Sequence, residues 1–135
     1  MITYPTYRPR RMRASANLRA MICETTLNVK DLIFPLFVVP GEGIKHEIES
    51  LPGNFHWSVD RVLEPVKEAY ELGIPAVLLF GIPSYKDEVG SSAWDMNEPV
   101  QLACKVIKEN YPELVIVTDV CMCEYTSHGH CGVLE

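Results

Sequence analysis

Three cysteines and two histidines lie within eleven residues near the end of the sequence, in the stretch CMCEYTSHGHC from Cys121 to Cys131. Thiolates and imidazoles are ligands of Zn²⁺, a borderline-soft ion that favours tetrahedral sites in proteins. Three cysteine ligands would leave a fourth position open for water or substrate, which is the arrangement of catalytic zinc. His128 or His130 as a fourth ligand would instead close the site and make it structural. The spacing of the residues does not choose between these two kinds of site.

A disulfide, a redox-sensing loop and coincidental thiols are the other interpretations of this stretch. The sequence holds five cysteines, so a complete disulfide framework would leave one unpaired. A bridge between Cys121 and Cys123 would be strained in extended backbone. No apolar stretch follows the N-terminal basic residues closely enough to resemble a secretory signal, so we expect a cytoplasmic protein with reduced thiols. Metal binding is the favoured hypothesis, and Cys23 and Cys104 are expected to be small core residues.

Composition limits the classes of protein to be considered. Apolar residues make up 47% of the 135 residues, which is typical of a folded globular domain. The longest apolar runs, LIFPLFVVP and AVLLFGI, are far shorter than the roughly 20 residues that cross a bilayer. We therefore expect no membrane partner.

Charge is distributed unevenly along the chain. Residues 1–30 carry six basic side chains against Glu24 alone, whereas the remainder carries six basic and seventeen acidic side chains. Such a basic arm could bind nucleic acid, but no platform of aromatic and basic residues and no DNA-reading helix accompanies it. We expect no nucleic-acid partner. The arm is expected to be structural and to dock on an acidic surface, such as that of a neighbouring subunit.

Continuous apolar runs predict three buried strands, over residues 31–39, 76–82 and 114–122. A further short strand is expected around residues 44–48, within a segment rich in turn residues. Buried strands of this kind, separated by helices, indicate an α/β protein with parallel pairing. Both an open doubly wound sheet and a (β/α)₈ barrel fit the pattern, and both place chemistry at the C-terminal ends of the strands.

Helical spacing of apolar residues predicts the helices between these strands. A short helix capped by Ser15 is expected in the N-terminal arm. A longer helix begins after Ser58 and either kinks at Pro65 or becomes regular only from that residue. The next helix is predicted with Asn97 as its cap and Pro99 in its first turn.

The cysteine cluster begins at the C-terminal end of the third predicted strand. If extended backbone continues past the strand, Asp119, Cys121 and Cys123 lie on one face, because alternate side chains point the same way. The glycine at position 129 leaves the following loop free to fold Cys131 back towards them. Asp119 is then expected to orient a ligand or to accept a proton.

Several segments of the sequence together resemble one enzyme family. The stretch TDVCMCEYTSHGHCGVL, from Thr118 to Leu134, resembles the metal-binding signature of the porphobilinogen synthases, which are also called 5-aminolevulinate dehydratases. The segments that resemble the N-terminal portion of the same family, in the same order, are RPRRMR, LRAMICETTL, DLIFPLFVVPG, SLPG, ELGIPAVLLFGIP and KDEVGSSAW. The resemblance covers essentially the whole chain.

The resemblance implies a function and a set of site residues. The family condenses two molecules of 5-aminolevulinate, with loss of two waters, to the pyrrole porphobilinogen in tetrapyrrole and heme biosynthesis. By this resemblance Cys121, Cys123 and Cys131 are zinc ligands around an open fourth position, where zinc acts as a Lewis acid on a carbonyl or bound water of the second substrate. Asp119 would lie beside the metal and the reacting groups, and His130 would contribute to a secondary metal site.

The resemblance also implies a fold and an assembly. Residues 31–135 would form the first part of a (β/α)₈ TIM barrel, about three β/α units ending in the metal-binding loop. Residues 1–30 would form the basic arm, with its short helix, through which the complete enzyme assembles into a homo-octamer. Magnesium is a further cofactor of some members of the family.

The sequence lacks the Schiff-base lysines of the family. Members of the family bind their substrates through two lysines that form Schiff bases, and none of the six lysines of this sequence matches either of them. A closed barrel needs roughly 250 residues. The sequence therefore predicts an N-terminal portion of the enzyme that is inactive alone. A non-catalytic zinc- or thiol-binding module, or a redox sensor derived from this part of the barrel, is the alternative.

Overall fold

The computed structural model describes residue 3, residues 6–8 and residues 10–132. Parts of the predicted arm, at positions 1, 2, 4, 5 and 9, and the end of the metal-binding signature, at 133–135, lie outside these residues. The described helices are α1 Ala16–Met21, α2 Leu63–Glu71 and α3 Pro99–Asn110. The described strands are β1 Ile33–Val39, β2 Lys45–Glu47, β3 Phe55–Ser58, β4 Ala76–Gly81 and β5 Val115–Thr118. None of the described helices is long and apolar enough to cross a membrane.

The strands form one sheet in the order β2-β3-β1-β4-β5. Parallel pairs join β3 to β1, β1 to β4 and β4 to β5, while β2 runs antiparallel to β3. In this register Val38 lies opposite Gly81, and Leu79 lies opposite Thr118. The carboxyl ends of β1, β4 and β5 therefore meet at one edge of the sheet, as the sequence predicted for an α/β protein.

The hydrophobic core lies between one face of the sheet and the helices α2 and α3. Its buried members are Leu36, Val38, Trp57, Val62, Val66, Val77, Leu79, Val100, Ala103, Ile107 and Leu114. Phe37 and Phe80 alternate with core residues in β1 and β4, so they lie on the opposite face, where their rings stack 5.3 Å apart. In a (β/α)₈ barrel, helices cover the outer face of the sheet and side chains of the strands fill the interior. The two faces of this sheet have that arrangement, with α2 and α3 on one face and Phe37 and Phe80 on the other.

Local signals predicted several element boundaries correctly. The Ser15 side chain accepts a hydrogen bond from the Leu18 amide at 3.1 Å and caps α1, as expected. Helix α2 begins at Leu63, so Pro65 lies in its first turn, where a proline is tolerated, and the regular helix starts two residues earlier than the predicted start at Pro65. The predicted cap of α3 was wrong, because Glu98 occupies the N-cap position and Asn97 instead donates its amide to Asp95 at 2.9 Å.

One strand was not predicted, and two other expectations were wrong. The sequence pattern did not reveal β3, which the pairing with β1 extends and stabilises as a strand. Cys23 is exposed rather than buried, and its thiol donates to the Thr25 carbonyl at 2.7 Å. The third strand ends at Thr118, and a 3₁₀ turn over Met122–Glu124 replaces the extended backbone that was expected to carry the cysteines.

Candidate metal centre

The three cysteines of the cluster meet in space. The Sγ atoms of Cys121 and Cys123 are 2.8 Å apart, and those of Cys121 and Cys131 are 3.3 Å apart. All three sulfurs lie within 4.8 Å of one another, and they are the one such group of potential metal ligands in the part of the chain that the structure describes. The cluster was predicted correctly in its membership, although the backbone path was not.

The 3₁₀ turn explains how neighbouring cysteines can face the same point. Cys121 is the extended N-cap residue of the turn Met122–Glu124, and Cys123 lies inside that turn. The backbone turns after Cys121, and this turn places the Cys123 sulfur on the same side of the chain as the Cys121 sulfur. The alternation of side chains along a strand is not the cause. Gly129, with a φ of +74°, lets the following loop reverse and deliver Cys131.

The donor set fits a soft divalent cation. In a tetrahedral zinc site, Zn–S bonds of about 2.3 Å separate the sulfurs by about 3.8 Å. The observed separations are somewhat shorter, so a small outward rotation of the side chains would admit an ion. Cys131 is exposed, and Cys121 and Cys123 are only partly buried, so an ion can approach from solvent. Three sulfur ligands with an accessible side match a site that keeps one position open.

Neither histidine of the loop joins the three sulfurs within the described residues. The Nδ1 atom of His128 accepts a hydrogen bond from the His130 amide at 3.2 Å, which leaves Nε2 to donate to the Glu88 carbonyl at 3.1 Å. The two imidazole rings stack 5.5 Å apart. His128 is therefore engaged in holding the loop, and this geometry favours the open site over the closed one. The secondary metal site at His130 stays a prediction.

The thiols of the cluster share their protons through hydrogen bonds. Contact with Cys123 and Cys131 raises the pKa of Cys121 to about 12. The bond from Cys121 in turn lowers the pKa of Cys131 below that of an ordinary thiol. At neutral pH the metal-free cluster therefore keeps a proton on Cys121, which a metal ion must displace.

Metal uptake is consequently expected to release protons and to weaken as the pH falls. The reason is that the ligand is the thiolate, while Cys121 is protonated well above pH 7 in the metal-free chain. Calorimetric titration with Zn²⁺ in two buffers of different ionisation enthalpy measures this release. Heats that do not depend on the buffer would contradict it.

Asp119 lies between β5 and the cluster. Its amide donates to the Leu79 carbonyl at 3.2 Å and so continues the pairing of β5 with β4 by one residue. Burial, and then the charge of Asp119, raises the pKa of Glu124, which immediately follows Cys123. The charge of Asp119 thus affects Glu124 beside the thiols.

The expectation that Asp119, Cys121 and Cys123 share one strand face was wrong, because the chain leaves the extended conformation before Cys123. The role of Asp119 stays a prediction.

An open groove of about 470 Å³ lies on the face of the sheet that carries Phe37 and Phe80, and it extends to Glu124, the residue after Cys123. Its polar lining includes His56, Lys86 and Glu124. The sequence interpretation missed Lys86 and Glu124. Two signals could have found them: Lys86 lies in the loop after the second predicted strand, and Glu124 adjoins a predicted ligand. The groove offers apolar side chains together with charged groups of both signs, one of which, Glu124, directly follows Cys123 in the sequence.

Comparison with known proteins agrees with this geometry. The family model for delta-aminolevulinic acid dehydratase matches residues 6–135. The delta-aminolevulinic acid dehydratase of Synechococcus elongatus is 52% identical over 132 residues, which cover 98% of this chain and 40% of that protein. The protein of the same name from Ruminiclostridium josui is 50% identical over 128 residues, covering 95% of this chain and 62% of the relative.

A solved structure shows the same fold. It is a Toxoplasma gondii delta-aminolevulinic acid dehydratase (porphobilinogen synthase) in complex with the reaction product porphobilinogen, with a TM-score of 0.88 and 31% identity. The match covers 96% of this chain and 37% of that one. This chain spans about two fifths of the length of that structure and of the Synechococcus relative. Its α/β sheet is accordingly part of a (β/α)₈ barrel, and the chain belongs to the delta-aminolevulinic acid dehydratase family.

Proposed function

We propose that this chain supplies the zinc-binding part of a porphobilinogen synthase, which condenses two molecules of 5-aminolevulinate to porphobilinogen for heme biosynthesis. The observation that carries the proposal is the meeting of three cysteine sulfurs at the carboxyl edge of a barrel sheet. Family membership over residues 6–135 supports the same reaction. The chain is proposed to work in the cytoplasm.

Cys121, Cys123 and Cys131 are the proposed zinc ligands. When bound, zinc supplies a Lewis acid that polarises a substrate carbonyl. Phe37 and Phe80 stack on each other and line the groove that extends to Glu124, and they are proposed to exclude water from one side of it.

Two carboxyl groups, Glu124 and Asp119, are proposed to donate and accept protons near the metal. Burial raises the pKa of Glu124, so this group holds a proton at a higher pH than an ordinary glutamate and can donate it. Asp119 is proposed as its acceptor partner in the same region. A secondary metal site involving His130, and magnesium in the complete enzyme, are further proposals from the family resemblance.

The N-terminal arm is proposed to mediate assembly into a homo-octamer. Helix α1 buries none of its residues, and the Arg19 guanidinium donates to the Arg13 carbonyl at 3.1 Å within the arm. Met21 is 82% exposed and Leu27 is 83% exposed, which leaves apolar surface on a basic segment. An acidic body of a second subunit is a suitable partner for such a segment.

Borohydride trapping with 5-aminolevulinate tests whether this chain supplies the zinc ligands of the enzyme but no Schiff-base lysine. We expect no reduced adduct on the 15.2 kDa chain in an intact-mass spectrum, because none of its lysines matches the Schiff-base lysines of the family. The same sample should retain zinc after dialysis. An adduct at this mass would contradict the proposed division, whereas a chain without zinc would contradict the metal assignment.

A thiol-based redox function is the second candidate, and the contact between the Cys121 and Cys123 sulfurs favours it. A redox sensor would lose two mass units reversibly on mild oxidation and would bind zinc no better than a variant lacking one of these thiols. Stoichiometric zinc that protects the thiols from oxidation would exclude this candidate.

A further inference from the structure

The Asp87–Ser91 turn, in the loop after β4, is closed by one carboxylate. Asp87 Oδ1 accepts hydrogen bonds from the amides of Val89 at 3.2 Å and Ser91 at 2.9 Å, and the Ser91 hydroxyl donates to Oδ2. These bonds, that of the Ser91 hydroxyl above all, hold the pKa of Asp87 below its usual value. The turn is therefore a compact unit with its own internal support.

This turn is joined to the cysteine loop, residues 121–131, through backbone hydrogen bonds. The Ser127 amide donates to the Asp87 carbonyl at 2.8 Å, and Asp87 and Thr126 form an isolated parallel bridge. His128 Nε2 lies 3.1 Å from the Glu88 carbonyl. Two segments that are far apart in sequence are thus fixed edge to edge beside the metal ligands.

Thr126 connects the Asp87–Thr126 bridge to Cys131, the last of the three proposed ligands in the sequence. Thr126 is only 3% exposed, and its hydroxyl donates to the His130 carbonyl at 2.8 Å. His130 directly precedes Cys131. A continuous chain of bonded groups therefore runs from the Asp87–Ser91 turn to Cys131.

Gly90 brings the turn against Met122, the residue between the other two proposed ligands. Its φ of +69° is a conformation that side chains disfavour. A Cβ atom built there would lie 2.6 Å from Met122 Cε and 3.4 Å from Thr126 Cγ2. Met122 lies between Cys121 and Cys123 in the sequence, and its Cε atom is the flexible end of the side chain. An added methyl group at position 90 would therefore displace the Met122 side chain rather than the backbone of the 3₁₀ turn.

We infer that the Asp87–Ser91 turn is a positioning element of the metal centre, which holds the cysteine loop folded before metal binds. The inference rests on the proposed metal-binding function. Closing a flexible loop between Cys123 and Cys131 costs conformational entropy, and a loop that is already closed avoids that cost when the metal arrives. Asp87 and Gly90 touch no metal ligand atom in this role; they act through Thr126, Ser127 and Met122.

Two variants and two matched controls test the inference. Asp87→Ala removes the carboxylate that closes the turn, and Asp60→Ala is its control, because Asp60 similarly accepts from the Gly43 amide at 3.0 Å in a different turn. Gly90→Ala displaces the end of the Met122 side chain. Its control is Gly53→Ala, since Gly53 has a similar φ of +80° but nothing within 4 Å of its Cβ position.

Titration of the whole chain with Co²⁺, followed by its thiolate charge-transfer absorption, measures the effect on the metal centre. Asp87→Ala is expected to bind Co²⁺ about tenfold to a hundredfold more weakly than the unsubstituted chain. Gly90→Ala is expected to weaken binding by less than about tenfold, because the Met122 side chain can move away from the added methyl group. Both controls should bind as the unsubstituted chain does. Asp87→Asn keeps an acceptor oxygen for the two amides and should restore most of the affinity. Equal affinities in all variants would overturn the inference.

Hydrogen exchange of the metal-free chain tests the same inference without any metal. The Ser127 amide should lose protection in Asp87→Ala, because the turn that presents the Asp87 carbonyl is no longer closed, while amides of β1 and β4 keep theirs. Unchanged protection of Ser127 would overturn the inference. If the unsubstituted chain bound no Co²⁺, the metal-binding proposal would fail, and exchange at Ser127 would still decide whether the turn holds the loop.

Discussion

Replacing Cys121 with serine is expected to weaken zinc binding by at least about a hundredfold. Structural zinc held by four protein ligands binds with an apparent 10–16 kcal/mol, so one such ligand is worth roughly 3 kcal/mol, or a factor of about a hundred. The loss of one of only three sulfurs should cost at least as much. Cys121 is the central member of the cluster, because its sulfur contacts both of the others. Serine keeps the size of the side chain and removes the soft ligand atom.

Competition with a chromophoric chelator measures the zinc affinity of this variant. Cys23→Ser is the matched control, since Cys23 is an exposed cysteine outside the cluster. It should bind zinc as the unsubstituted chain does. A Cys121→Ser chain that retained the original affinity would show that the three sulfurs do not form the site.

Replacing Gly81 with alanine is expected to destabilise the fold by about 1–3 kcal/mol, the usual cost of overpacking a filled core. Gly81 ends β4 where the first turn of α3 crosses it. A Cβ atom at this position would collide with Val100 Cγ2 and would lie 3.0 Å from the Tyr125 hydroxyl. Val100 is buried and β-branched, so it cannot easily rotate away. The added methyl group must therefore shift a helix or the start of the cysteine loop.

Urea denaturation followed by circular dichroism measures this loss of stability. Gly132→Ala is the matched control, because Gly132 has no positive φ and nothing within 4 Å of its Cβ position. Its midpoint should equal that of the unsubstituted chain in the presence of a chelator. A Gly81→Ala chain with the same midpoint would contradict the close approach of α3 to β4.

The parts of this fold that local chemistry decides were predictable from the sequence. Ser15 caps α1 because its side-chain oxygen can accept a hydrogen bond from the amide of Leu18, three residues further along the chain. The apolar runs of β1 and β4 predicted buried parallel strands because both faces of such strands are covered. The meeting of the three cysteines was predictable because cysteine is rare in this sequence and three of the five lie close together.

The parts that depend on distant contacts were not predictable. Strand β3 exists because its backbone pairs with β1 and β2, and its four residues carry no strong pattern of their own. The 3₁₀ turn at Met122–Glu124 lies against Gly90, a contact between separate loops that no local signal contains. For the same reason the sequence gives no indication that Asp87 supports the cysteine loop. The division of the chain at residue 30, and the roles of Asp119 and His130, stay predictions.

The order of the strands has a consequence for the colloidal behaviour of the chain in solution. Within the described residues β5 pairs with β4 on one side only, and Val115 at its start is 52% exposed. A row of amides and carbonyls without strand partners is a template for pairing with another chain. Concentrated samples are therefore prone to edge-to-edge association, which light scattering would detect as growth that depends on concentration. A strand that covered β5 would suppress this growth.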